Sequence, residues 1–181
     1  MITALAVAFA AVAQAASINW QNAGSRTAGT IYKADGTAIG SGAVAYLFDT
    51  ATITQAALLE GLRSGADISS FTKVDTAVTA SSKISATPAV TYGTAGDDVT
   101  MFYAIFDAVA NKVLIADAVT KGIQASDVTT FAFSKSETWS KVDNAAASYG
   151  AAGWYDVVPE PTSGLMMLLG IGVLALRRRR A

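Results

Sequence analysis

The sequence contains no cysteine and no histidine among its 181 residues. Without cysteine there is no disulfide framework, so an exported body must be held together by its own core. Without histidine the commonest general base and the commonest metal ligand are missing. Cys–His and Ser–His–Asp catalysis are excluded, as are zinc sites built on Cys or His. Proline is scarce at three residues, and two of them stand one residue apart near the C-terminus. Charge is scarce as well, with Asp, Glu, Lys and Arg making up 15% of the chain. The formal net charge of −1 conceals an asymmetry: residues 16–158 carry 9 Lys/Arg against 13 Asp/Glu, a net −4, while four arginines stand together at 177–180. An acidic body lacks the clustered positive charge that phosphate backbones attract, which argues against nucleic acid as a partner.

What the chain does have is concentrated at its ends. "MITALAVAFAAVAQAAS" opens with an apolar run from Ile2 to Val12 that suits the hydrophobic region of a signal peptide. Ala13-Gln14-Ala15 has the A-x-A form of a signal-peptidase site, with the cut expected before Ala16. No Lys or Arg occurs before Arg26, so the usual positive start is missing. A helix with no polar face is a poor candidate for the surface of a folded domain.

At the other end stands "VVPEPTSGLMMLLGIGVLALRRRRA". Val158 and Glu160 each precede a proline and are pushed out of the helical region. Pro159 and Pro161 fix their own φ near −65°. The segment Val158–Pro161 is therefore stiff and extended, the form in which proteases and transpeptidases hold a substrate strand. Gly164 to Leu176 follows, 13 residues without a charge. As a helix it spans about 20 Å against a hydrocarbon core of about 30 Å. Extending it back to Val157 would bury Glu160 at a cost of about 2.5 kcal/mol or more. Arg177, Arg178, Arg179 and Arg180 belong on the cytoplasmic side by the positive-inside rule, with the remainder of the chain outside. Both ends thus predict one topology.

This tail resembles the PEP-CTERM sorting signal. Its three parts, Val-Pro-Glu-Pro, a short Gly/Leu-rich apolar helix and a terminal arginine cluster, occur in order between Val158 and Arg180. The resemblance implies that Pro159, Glu160 and Pro161 are recognised by exosortase, a membrane-embedded, cysteine protease-like enzyme of Gram-negative bacteria. It also implies transient residence in the inner membrane, then delivery to the cell surface or an exopolysaccharide matrix. A plain single-pass anchor is the alternative, but a dedicated anchor runs nearer 20 residues. A lipid-linked C-terminal signal would lack the arginines, and a lipoprotein would need cysteine.

Between the ends, short apolar alternations predict strands at Ala43–Asp49, Val99–Asp107, Lys112–Val119 and Thr129–Ser134. The second and third make a hairpin with Asn111 in its turn, and Asp35-Gly36 marks another. "KISATPAVTYG" is a weaker candidate because of Pro88. "TITQAALLEGLRSG" predicts a helix capped by Thr52 or Thr54, ending at Gly65, with Ile53, Ala57, Leu58 and Leu62 on its buried face. A second short polar helix is expected near Ala125–Val128. The fold class expected is mainly β: a small antiparallel β-sandwich or sheet with one short helix, flanked by an N-terminal signal helix and a C-terminal transmembrane helix. The expected organisation is a signal peptide over 1–15, a secreted β-rich domain over 16–143, a Gly/Ala-rich linker over 144–157 and the sorting tail over 158–181.

Three motifs tempt a catalytic or ligand reading. Ser70-Phe71-Thr72-Lys73 has the S-x-x-K form but lacks the companion motifs of penicillin-binding enzymes. Gly40-Ser41-Gly42-Ala43-Val44-Ala45 fits G-x-G-x-x-A but opens a strand, where no helix N-terminus is present to hold a phosphate. Asp97-Asp98 has no calcium-loop spacing. No catalytic residue, metal site or cofactor is expected. Trp20, Trp139, Trp154 and Tyr155 lie in segments that read as non-core, so Trp139, Trp154 and Tyr155 are candidates for stacking on sugar rings. The expected partners are signal peptidase and the secretion machinery, an exosortase-type enzyme, the inner membrane and extracellular polysaccharide. The expected function is that of a structural, exopolysaccharide-associated surface protein. A carbohydrate-binding module and, behind it, a hydrolase built on carboxylates alone are the alternatives.

Overall fold

Alternation begins with the first described strand. In β1 (Ala15–Gln21) the side chains of Ala16, Ile18 and Trp20 are buried, while Ser17, Asn19 and Gln21 are half-buried on the other face. The computed structural model describes residues 14–24, 27–85, 87–133, 143–144 and 148–157. After β1 comes a two-stranded ribbon of β2 (Ala23–Gly24) and β3 (Thr27–Ala28), then β4 (Val44–Asp49), α1 (Gln55–Arg63), a 3-10 turn at Ile68–Ser70 and β5 (Asp75–Val78). The remaining strands are β6 (Val90–Thr94), β7 (Asp98–Asp107), β8 (Lys112–Ile115), β9 (Val119–Gly122), β10 (Thr129–Ala132), β11 (Asp143–Asn144) and β12 (Gly153–Asp156).

Among the described residues the architecture is mainly β, with two sheets and one short helix besides the ribbon. The smaller sheet has the order β10-β1-β6, with β1 parallel to β10 and antiparallel to β6. The larger has the order β11-β12-β8-β7-β4-β5, with β9 also paired to β7. Its centre is β7, in which Met101 to Ile105 are buried on both faces, as a central strand requires. β8 and β9 share one edge of β7. Ala104 pairs with Ile115 and Met101 with Val119, so residues 116–118 oppose only residues 102–103. That extra residue is a β-bulge, which divides the strand expected over Lys112–Val119 in two.

Each face of the larger sheet has its own cover. On one, Leu47, Tyr103, Ile105, Leu114 and Trp154 share a core with Ile18, Trp20 and Phe131 from the smaller sheet and with Phe133 just beyond β10. The Trp20 ring meets those of Tyr103 and Phe133 at 5.8 and 6.2 Å. On the other face, Phe48, Phe102, Val113, Ile115, Tyr155 and Val157 pack with α1 and Ile68. Leu58, Leu59 and Leu62 are the buried residues of α1, each worth about 1.5–3 kcal/mol as burial. The helix begins at Thr54, whose Oγ1 accepts from the Ala57 N–H at 3.2 Å. Ala57, expected on the buried face, is exposed, and Leu59 takes its place. Polar ties connect the sheets: the Trp20 indole donates to Asp75 Oδ2 (2.8 Å), and the Tyr92 hydroxyl to Asp49 Oδ2 (2.6 Å).

The hairpin at Asp35-Gly36 forms, with Tyr32 bridged to Ala38 and Gly36 at φ 82°. Asn111 turns the β7–β8 hairpin at φ 51°, a left-handed conformation that asparagine tolerates. Pro88 lies just outside β6. Residues 125–127 form bends where a second helix was expected. The expected linker over 144–157 is also corrected: its last residues form β12, because Trp154, Tyr155 and Val157 fill core positions. The expected transmembrane helix falls outside the described residues, as does the expected signal helix over 1–15 except for Gln14 and Ala15, of which Ala15 opens β1. Among the described residues no helix is long and apolar enough to cross a membrane.

Candidate functional site

The sorting tail grows directly out of β12, and three elements grip its root. The Asp156 carboxylate meets Lys112 Nζ of β8 at 2.7 Å. The Asp156 carbonyl accepts from Arg63 Nε of α1 at 2.9 Å. The Val157 N–H donates to the Asn111 carbonyl at 3.0 Å. Val157 is only 6% exposed, so Pro159 stands two residues beyond a core side chain.

Two hollows flank the root. One, about 350 Å³, is lined by Lys33, Asp35, Asp107, Val109, Lys112 and Trp154. The other, about 200 Å³, lies between α1 and the hairpin and includes Leu62, Asp67, Phe106, Asn111 and Val157 itself. In the larger hollow the carboxylates serve their own turns. Asp35 Oδ1 accepts from the Thr37 hydroxyl (2.6 Å) and the Thr37 N–H (2.8 Å), which hold its carboxyl below the usual carboxylate range. Asp107 Oδ1 accepts from the N–H groups of Val109 and Ala110 at 3.0 and 3.1 Å, and its Oδ2 is 4.0 Å from Lys33 Nζ. A carboxyl-only hydrolase needs one acid raised toward neutrality; at Asp35 the displacement is downward.

Among the candidate residues, Ala15 opens β1 and pairs with Thr94, and Ala16 is buried. The bond expected to be cut thus lies at the start of the first strand. Ala13, Trp139, Pro159, Glu160, Pro161 and Arg177 to Arg180 lie outside the described residues. Trp154 and Tyr155 are each 1% exposed, and Trp20 is fully buried, which corrects the expectation of exposed stacking residues. The reason is geometric. Adjacent strand residues face opposite sides of a sheet, and both sides of this one are covered. The Trp154 indole donates to the Tyr32 carbonyl at 2.8 Å. The Tyr155 hydroxyl accepts from the N–H groups of Gly150 and Ala151, closing the loop before β12.

The tempting motifs dissolve into local structure. The Ser70 hydroxyl donates to the Asp67 carbonyl and Lys73 Nζ to the Ser69 carbonyl, so each caps a turn. Among the described residues no group of three or more Asp or Glu could hold a metal ion. The grip of Arg63, Lys112 and Asn111 on the tail root is not visible in the sequence, because it depends on strand register.

Residues 157–181 match the family model of the PEP-CTERM protein-sorting motif. The tail of this chain is a PEP-CTERM sorting signal. The match begins one residue earlier than the resemblance in the sequence and therefore overlaps the fold at Val157. No curated protein and no solved structure matches the chain. The PEP-CTERM signal thus identifies how the chain is handled, through a segment rooted in its core.

Proposed function

We propose that the protein is exported, processed by an exosortase-type enzyme at Pro159-Glu160-Pro161, and delivered to the surface of a Gram-negative cell. There it acts as a non-enzymatic structural component of an exopolysaccharide matrix. The observation that carries the sorting half is the PEP-CTERM match at 157–181. The body supports the matrix half through the outer face of its smaller sheet. Ser17 pairs with Thr91, and Thr130 and Gln21 lie on the same face, so that face carries partly exposed hydroxyl and amide groups without charge. Such a face suits hydrogen bonding to a hydroxyl-rich neutral polymer. The two sheets that share one core support reading the body as a β-sandwich.

The test replaces Pro159, Glu160 and Pro161 with alanine. Export is expected to persist, with the precursor retained in the inner membrane. Normal surface delivery of this variant would defeat the sorting reading. Co-sedimentation of the mature body with the host's exopolysaccharide tests the matrix reading, and recovery entirely in the soluble fraction would end it.

A further inference from the structure

We propose that the outer edge of β5 docks a second copy of this chain, whose own β5 pairs with it antiparallel about a two-fold axis at Ala77. The first ground is the backbone. β5 ends the larger sheet and pairs with β4 alone. The Thr79 N–H donates to the Ala43 carbonyl at 2.9 Å, so residue 79 turns its amide toward the β4 side. By ladder alternation Ala77, opposite Ala45, does the same, and Thr76 and Val78 turn their N–H and C=O groups outward. Among the described residues those outward groups have no hydrogen-bond partner.

The second ground is that this edge is unguarded. Sheet edges are ordinarily blunted by lysine, proline or an irregular register. β6 starts just after Pro88, carries Gly93 at φ 72° and shifts register against β1. β9 carries Lys121. Thr76, Ala77 and Val78 have none of these devices, and their register against β4 is unbroken. The one charge of β5, Asp75, is tied inward to the Trp20 indole.

The third ground is the side chains. Val78 is 61% exposed, and Val44 beside it on β4 is 40% exposed. Both lie on the face that carries Tyr46 and Phe48, and α1 covers only part of that face. Exposed apolar residues on an unpaired edge form a template for another strand.

The edge is complementary to itself, which selects the occupant. An axis at Ala77 sets Thr76 of one copy opposite Val78 of the other, and the reverse. Each outward N–H then meets an outward C=O. Opposed residues share a face, so Val78 packs beside Thr76 and near Tyr46 of the other copy. No like charges are brought together. Each copy offers one such edge, so the contact is isologous and closes at a dimer. A strand this short falls below the usual interface size of about 1,200 Å², so the dimer forms reversibly and at high local concentration. None of this depends on the exosortase reading.

Sedimentation of the full-length chain in excess detergent micelles tests the proposal. A reversible monomer–dimer equilibrium is expected. Val78→Lys should weaken it at least about tenfold by placing like charges at the contact. Thr76→Pro should weaken it too, since it removes an outward N–H that the β4 ladder does not use. Circular dichroism confirms that each variant is folded. The chain has no cysteine, so single introduced cysteines give a second measurement. Ala77→Cys should cross-link two copies about tenfold or more faster than Val109→Cys, which is 95% exposed at a hairpin tip. This comparison decides the matter if an edge variant fails to fold. Monomer at every concentration, assembly beyond the dimer, a dimer indifferent to both edge substitutions, or equal cross-linking rates would each overturn the proposal. An edge that takes an unrelated strand peptide but never a second copy would overturn it as well.

Discussion

Trp154 connects the core, the tail root and the larger hollow through one side chain. Its ring fills the shared core of the two sheets, and its N–H supplies a donor to the Tyr32 carbonyl. Trp154→Ala is expected to cost about 3–5 kcal/mol, the range for deleting a large buried aromatic. Trp154→Phe keeps most of the volume but loses the donor, so a smaller loss of about 1–3 kcal/mol is expected. Urea unfolding of the two variants separates the contributions. Tyr92 gives a second residue-level test. Burial first, and its hydrogen bond to Asp49 second, push its hydroxyl up to about 12. An acid whose folded pKa is raised adds stability that is complete below its unfolded pKa and disappears as pH rises through the folded one. The protein should therefore lose stability from about pH 10, the unfolded tyrosine value, to about pH 12. Tyr92→Phe should remove that share of the loss, which alkaline unfolding curves would register. Gly93 gives a third. Its φ is 72°, and an added Cβ would stand 2.5 Å from Ile123 Cδ1. Gly93→Ala should destabilise by about 1–3 kcal/mol through strain and overpacking.

At the scale of elements, β12 and Val157 supply the last core side chains among the described residues. A chain ending at Val157 should unfold cooperatively and reversibly. One ending at Ala152 loses Trp154, Tyr155 and Val157 together, on the order of 5 kcal/mol or more of burial, comparable to the whole stability of a small domain. Circular dichroism with thermal melting distinguishes the two, and a folded 16–152 fragment would show β12 to be dispensable. The legibility of the elements follows the same physics. β4 and β7 were readable because apolar and aromatic residues run nearly continuously there, β10 because its residues alternate, and α1 because Thr54 and Gly65 bracket an amphipathic stretch. β12 was not, since it has four residues and follows the loop Tyr149-Gly150-Ala151-Ala152, whose composition reads as linker. β1 was missed for a related reason. Its outward residues are Ser, Asn and Gln, and its parallel partner β10 lies more than a hundred residues away. Of the three tryptophans that read as non-core, the two among the described residues, Trp20 and Trp154, sit in these two strands, so for them the reading of the site and the reading of the elements differ from the structure for one reason. The tail was legible because proline stiffness, apolar length and arginine clustering act locally.

At the scale of the whole molecule, the body and the sorting signal meet without a spacer. Val157 is a core residue and Gly164 opens the apolar run, so only six residues separate the two in the sequence. An enzyme that grips an extended substrate strand engages several residues on each side of its target. On the upstream side those residues belong to β12, fixed by Lys112, Arg63 and Asn111. On the proposed exosortase reading, processing begins with fraying of the end of β12, or with an enzyme that reads almost entirely from Val158 onward. A six-residue Gly/Ser insertion between Val157 and Val158 separates these routes. If the root limits access, the insertion should raise the processing rate several-fold, and Arg63→Ala, which releases the Asp156 carbonyl, should raise it in the same direction by less. The ratio of precursor to mature protein in a pulse–chase measures both. An insertion that leaves the rate unchanged would show that recognition starts beyond the fold, and that the clamp on β12 serves stability alone.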